Sequence, residues 1–194
     1  MEIKRVCVYC ASSRKCAPAY HNGAERLGRI LARAGITVVF GGGSNGSMGA
    51  LAKGALAEGG RVVGVIPRFM DELEWGHRGL SELILVRDMH ERKRLMIAEV
   101  DAAVALPGGC GTFEELFEAI AWKRLGLYGG PIVIVNTGGY YRPCLELLEN
   151  AVREHFMDQR HGAIWSVVDD PDQVLDAILN APPWPSENRN FAVP

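Results

Sequence analysis

Apolar positions along the chain fall into two alternating registers. Short, mostly apolar segments read as strands over Ile3 to Cys10, Ile36 to Phe40, Arg61 to Ile66, Leu83 to Val86, Ala102 to Leu106, Pro131 to Val135 and Ala163 to Val168. Segments such as VVF, VVGVI and IVIV have no polar alternation, which predicts strands buried on both faces. Between them lie stretches with helical spacing. Tyr20 to Ala34 carries apolar residues at positions 24, 27, 30, 31 and 34 and closes at Gly35. Further helices are predicted over Met48 to Glu58, Asp88 to Val100, Thr112 to Leu125, Tyr141 to Phe156 and Pro171 to Leu179. Asp88 and Glu91 have capping-box spacing at the start of one of them. The stretch from Arg68 to Ser81 is polar and predicts no element.

Strand and helix in this order predict an α/β fold: a Rossmann-like, doubly wound parallel sheet with helices on both faces. No internal repeat and no linker interrupts it. Residues 1–180 therefore read as one nucleotide-binding α/β domain, and residues 181–194, rich in Pro and Asn, as an irregular tail. In such sheets ligands bind beyond the carboxyl ends of the strands, so the loops there carry the candidate chemistry.

Composition narrows the function classes. With 48% hydrophobic and 23% charged residues, the chain is neither disordered nor collagen-like. No window of eighteen apolar residues predicts a membrane span, and the start MEIKRVCVYC lacks the apolar region of a signal peptide. A net charge of −2 carries no basic excess for nucleic acid. The expected partners are thus a small molecule and neither nucleic acid nor membrane. The five cysteines read as reduced thiols of a cytoplasmic protein. Cys7 and Cys10 form C-x-x-C on a strand, where positions three apart point to opposite faces, so no redox or metal site is expected there.

Two glycine-rich loops follow strands and open helices. The first, Gly41-Gly42-Gly43-Ser44-Asn45-Gly46, matches G-x-G-x-x-G. The dinucleotide pattern also needs an acidic residue about 20 positions on, at the end of the next strand. That strand ends in Ile66-Pro67, and no G-K-[ST] follows to make a Walker loop. A loop able to approach an anion closely remains. The second, Pro107-Gly108-Gly109-Cys110-Gly111-Thr112, frees backbone N–H groups at a helix N-terminus, where the dipole favours an anion. Glu114 and Glu115 follow directly. Thr112 and Glu115 have T-x-x-E spacing, so Glu115 is either a helix cap or a carboxylate facing a cleft. The run Arg92-Lys93-Arg94 is either a solvated face or supplies a fork-shaped grip on phosphate through Arg92, with Lys93 as a point charge.

Pro107-Gly-Gly-Cys-Gly-Thr-Phe-Glu-Glu115 resembles the PGGxGTxxE signature of the LONELY GUY (LOG) family, the cytokinin riboside 5′-monophosphate phosphoribohydrolases, whose bacterial relatives often carry a lysine decarboxylase label. Cys7 to Ser13, Gly41 to Gly49 (the family's GGGxxGLMG loop), Gly64 to Pro67 and Met89-His-Glu-Arg-Lys93 (MHxRK) follow the same family in order. Ala11 and Ser47 depart from it, where glycine and leucine are usual. The resemblance implies hydrolysis of the N-glycosidic bond of a nucleoside 5′-monophosphate, giving free base and ribose 5-phosphate without a cofactor or metal. It implies Arg92 and Glu115 as the catalytic pair. Ser13, Gly43, Glu74, Met89, Arg92, Lys93, Pro107, Gly108, Gly109, Gly111, Thr112 and Glu115 would contact substrate. It also implies a homodimer that completes the site. A pocket for an N6 substituent should be apolar, with Met89, Trp122 and Leu125 as candidates. General AMP hydrolysis and a non-catalytic nucleotide or molybdenum-cofactor carrier remain as alternatives. The decarboxylase label needs a Schiff-base lysine, and none of the lysines has a persuasive setting in the sequence.

Overall fold

The computed structural model of the chain describes residues 2–73 and 75–192. Seven parallel strands form one sheet in the order β4-β3-β2-β1-β5-β6-β7. They are β1 (Arg5–Tyr9), β2 (Thr37–Phe40), β3 (Val62–Pro67), β4 (Glu82–Val86), β5 (Ala102–Ala105), β6 (Ile132–Val135) and β7 (Trp165–Val168). The chain winds outward from β1 to β4, then returns to the other side of β1 with β5. The strand order therefore reverses between β1 and β5, and the crevice at that reversal is where this architecture seats ligands.

The helices are α1 (Pro18–Arg33), α2 (Gly46–Ala57), α3 (Arg68–Glu72), α4 (Met89–Ile97), α5 (Cys110–Arg124), α6 (Arg142–Arg153) and α7 (Val174–Leu179). Leu27, Leu31, Leu51 and Ile178, from α1, α2 and α7, pack on one face of the sheet with Val6, Val38 and Val104. Met96, Leu116, Ile120 and Leu148, from α4, α5 and α6, pack on the other with Val39, Val65 and Ile134. Strands β3, β5 and β6 are buried throughout and β2 from Val38 onward, as their apolar runs require. Cys7 and Cys10 lie in the two opposite cores, as a strand period of two dictates. All five thiols are unpaired, and burial raises Cys7 and Cys10 above the usual thiol range. No helix of the described residues is long and apolar enough to cross a membrane.

Three differences from the sequence pattern matter. Pro67 is the last residue of β3, paired with Val86, rather than a stop before it. The polar stretch after it holds the short helix α3, whose five residues are too few for a hydrophobic period to register. The segment read as irregular contains a 3₁₀ helix, Ser186–Phe191, and is tied to the far end of α5. Trp184 is only 8% exposed; its indole N–H donates to Lys123 O at 2.8 Å. The Trp184 ring meets Phe191 edge-on, with centroids 6.0 Å apart, and the Arg124 guanidinium donates to Ala192 O. Buried aromatics can thus anchor a segment with little periodic structure of its own.

A docked indole of this kind contributes to global stability. Trp184→Ala should lower the unfolding free energy by about 3 kcal/mol in denaturant titration. No change would mean that the segment is not held to the domain in solution.

Candidate active site

The loops at the carboxyl ends of β1, β2, β3 and β5 enclose a pocket of about 580 Å³ at the strand-order reversal. The segment that leaves β1 lines it with Cys10, Ala11, Ser12 and Ser13. The glycine loop after β2 supplies one flank with Gly41, Gly43, Ser44 and Asn45; Gly109 to Thr112, after β5, supply the other. Two ties hold the first flank. Arg14 Nε donates to Asn45 Oδ1 at 2.7 Å. Ser44 N–H donates to Trp75 O and His77 N–H to Gly42 O, each at 2.9 Å, which brings the segment after α3 across the pocket mouth.

Asp88 caps α4, accepting from Glu91 N–H at 2.8 Å. Glu91 does not close a reciprocal box; its carboxylate accepts from Arg87 N–H at 2.8 Å. Met89 and Arg92, three residues apart on this helix, both reach the pocket. Arg92 is 4% exposed and its donors are committed in three directions. Nε donates to Val65 O at 3.0 Å, one terminal nitrogen to Gly41 O at 3.1 Å, and the other to Glu115 Oε1 at 3.1 Å. Gly41 is glycine for a reason that its motif does not reveal. A Cβ there would stand 1.9 Å from the Arg92 guanidinium.

The two readings of Glu115 are separated by geometry. Helix α5 starts at Cys110 with Gly109 as its N-cap, so Thr112 is already inside the helix, and no side chain caps the first turn. Glu115 is therefore not a capping residue. It is 4% exposed, paired to Arg92 and on the pocket wall. The uncapped first N–H groups of α5 have no intrahelical partner and adjoin the same pocket. Burial pushes the Glu115 carboxyl up to about 7, against the opposing pull of Arg92, with Glu114 adding to the rise.

Of the other expected site residues, Ser13, Gly43, Met89, Gly109, Gly111 and Thr112 lie on the wall. Lys93, Pro107 and Gly108 do not. Lys93 faces α5 instead, 2.7 Å from Glu114 and 3.3 Å from Glu118, because consecutive helical residues point about 100° apart. Gly108 lies beneath Thr112, whose hydroxyl would be 2.1 Å from a Cβ there. Glu74 lies outside the described residues. Among the apolar candidates only Met89 reaches the pocket. Trp122 packs against the core and Leu125 is exposed at the far end of α5. The apolar wall is Met48, Ile66, Met70, Trp75 and Met89. Met70 and Trp75 were legible only as apolar residues isolated in a polar stretch. Burial lowers one lysine, Lys123, to about 8, but it lies about two turns further along α5 under Trp184, away from the pocket.

Fold and site together define a class: an α/β protein with a pocket between two glycine loops at its strand-order reversal and a buried carboxylate–guanidinium pair on the wall. A family model described as "Possible lysine decarboxylase" matches residues 48–178. A cytokinin riboside 5′-monophosphate phosphoribohydrolase of Rhodococcoides fascians is 46% identical over 155 residues, 79% of this chain and 78% of that protein. A probable enzyme of the same name from Oryza sativa subsp. japonica, LOG4, is 40% identical over 180 residues, 92% of this chain and 78% of that one. The chain belongs to this family, the LOG proteins. The solved molybdenum cofactor binding protein of Rippkaea orientalis shares the fold, with a TM-score of 0.72 and 18% identity over 92% of this chain and 97% of its own.

The electrostatics make a direct prediction. In ¹³C-glutamate-labelled protein, one carboxyl resonance should titrate near pH 7 and disappear in Glu115→Gln. Arg92→Ala should move its midpoint higher, because the guanidinium favours the ionised form; a lower midpoint would contradict this arrangement. An unfolded glutamate ionises near 4.5 and this one near 7. Its contribution to folded-state stability therefore falls as pH rises between those values and is constant above them.

Proposed function

We propose that the chain hydrolyses the N-glycosidic bond of N6-substituted adenosine 5′-monophosphates, such as cytokinin riboside 5′-monophosphates. The observation that carries this reading is a buried carboxylate, Glu115, held by Arg92 within two turns of an uncapped helix N-terminus. The names of the relatives support the same reaction. The 5′-phosphate is held by the N–H groups at the start of α5, aided by the helix dipole. That contact, remote from the reacting bond, keeps the ribose C1′ beside Glu115.

As the bond from C1′ to the base nitrogen lengthens, positive charge develops on the ribose. The Glu115 carboxylate stabilises that charge and accepts a proton from the attacking water. The water oxygen joins C1′, the bonding pair leaves with the base, and a proton ends on the base nitrogen. A carboxyl titrating near 7 suits such a base at neutral pH. Arg92, with three protein acceptors, orients Glu115 and keeps part of its population ionised. The role of Lys93 in this reading is indirect: it fixes α4 to α5 through Glu114 and Glu118.

The apolar wall supports an N6-alkyl substituent over bare AMP, since three of its five residues are methionines that adapt to a branched chain. The working form in this reading is a cytoplasmic homodimer. Support for the dimer comes from Phe69, Leu73, Trp75, Leu85 and Leu95, exposed large apolar side chains on α3 and the segment just after it, the edge strand β4 and α4. Trp75 belongs both to this face and to the pocket wall, so a second copy there would complete the site. The unpaired thiols support the reducing compartment.

Incubation with AMP and with N6-isopentenyl-AMP should release free base and ribose 5-phosphate, faster for the second substrate. Glu115→Gln should reduce release by at least about 10³-fold while retaining fold and nucleotide binding. Tight nucleotide binding with no release from either substrate would favour a carrier. In sedimentation, the protein should have twice the mass of the chain, and Leu73→Asp should give monomers with a raised KM. A wild-type monomer of full activity would remove the dimer from this account.

A further inference from the structure

The loop that opens α5 is held from outside by two adjacent tyrosines that are not on the pocket wall. Tyr141 is wholly buried; its hydroxyl donates to Leu106 O at 2.8 Å, and its N–H donates to Asn136 Oδ1 at 2.7 Å. The Tyr140 hydroxyl donates to Gly108 O. The Tyr140 ring stacks on Phe113 of α5, with centroids 6.3 Å apart and planes 13° apart. Its edge contacts are Tyr20 of α1 at 5.6 Å and Tyr141 at 5.3 Å. Both tyrosines follow β6, so the loop beyond one strand fixes the loop beyond its neighbour.

A trans peptide places its C=O and its N–H on opposite sides of one rigid plane. A hydroxyl that fixes Gly108 C=O therefore fixes Gly109 N–H facing the other way. Gly109 is the N-cap of α5 and lies on the pocket wall. No side chain caps that turn, so external bonds determine how its N–H groups are aimed.

We propose that Tyr140 is a positioning residue for the phosphate subsite, its hydroxyl holding the Gly108–Gly109 peptide so that the N-terminal amides of α5 face the pocket. This rests on the proposed placement of the 5′-phosphate at α5. Tyr141 anchors the start of the same loop, where Pro107 offers no N–H, and sets the direction from which Tyr140 acts.

The test measures binding separately from turnover. In a Glu115→Gln background, the affinity for AMP and for adenosine is measured by calorimetry, adenosine as a competitor of AMP. Adding Tyr140→Phe, which keeps the ring stack and removes one hydrogen bond, should weaken AMP about 5- to 10-fold and leave adenosine unchanged. In the active protein the same substitution should raise KM by a similar factor with kcat retained. Tyr128→Phe, which removes a hydroxyl bond of 3.3 Å to Pro131 O, is the control and should change neither. Unchanged AMP affinity, or equal weakening of AMP and adenosine, would overturn the proposal. Because binding is read without turnover, a failure to hydrolyse either substrate would count against the proposed reaction and not against Tyr140.

Discussion

The arrangement of this site depends on one buried guanidinium. Arg92 extends from α4 to the carbonyls of Val65 on β3 and Gly41 beyond β2, and to the carboxylate of Glu115 on α5. It thereby joins the part of the sheet wound outward before the reversal to the part wound after it. Burying two opposite charges is costly, and attraction offsets that cost only when the remaining donors are also satisfied. The two backbone carbonyls meet this condition. Removing either charge would leave its partner buried, at about 3–5 kcal/mol. The pair is thus a structural commitment, and the same commitment keeps a carboxylate of raised pKa facing a pocket.

Around this pair the division of labour is simple. The amides of the α5 loop are free for an anion, Glu115 is free for a reacting centre, and the methionine-rich side is free for an apolar group. The cationic side chains near the site are mostly spent within the protein, Arg92 on Glu115 and two carbonyls, Lys93 on two glutamates. In the proposed binding mode the phosphate therefore depends on backbone N–H groups more than on side-chain charge. That is why the orientation of one peptide, Gly108–Gly109, carries weight.

Much of the fold was legible in the sequence because strand and helix have different periods, and short β-branched runs such as IVIV, flanked by Pro and Gly, fit a strand buried on both sides. The glycine loops were legible as pocket-facing, since they stand between strand and helix. What could not be read was contact between distant segments. Nothing local in GGGSNG says that Gly41 is small to admit an arginine 51 residues later. Likewise, T-x-x-E spacing fits a capping box until the cap falls at Gly109. Lys93 shows a related limit: a run of cations shows charge but not direction, and the helix turns the lysine toward α5. Trp184 anchors its segment by burial and an indole N–H bond to Lys123 O, neither of which leaves a periodic trace.

The central claim is that a nucleotide sits with its phosphate on α5 and its C1′ against Glu115. The most direct measurement is a crystal structure of Glu115→Gln soaked with N6-isopentenyl-AMP. The account predicts phosphate oxygens on the amides of Gly109 to Thr112, C1′ within about 3.5 Å of the residue-115 side chain, and the N6 group against Met70 and Met89. A phosphate seated instead on Ser44 and Asn45 at the start of α2, with C1′ turned away from residue 115, would contradict it.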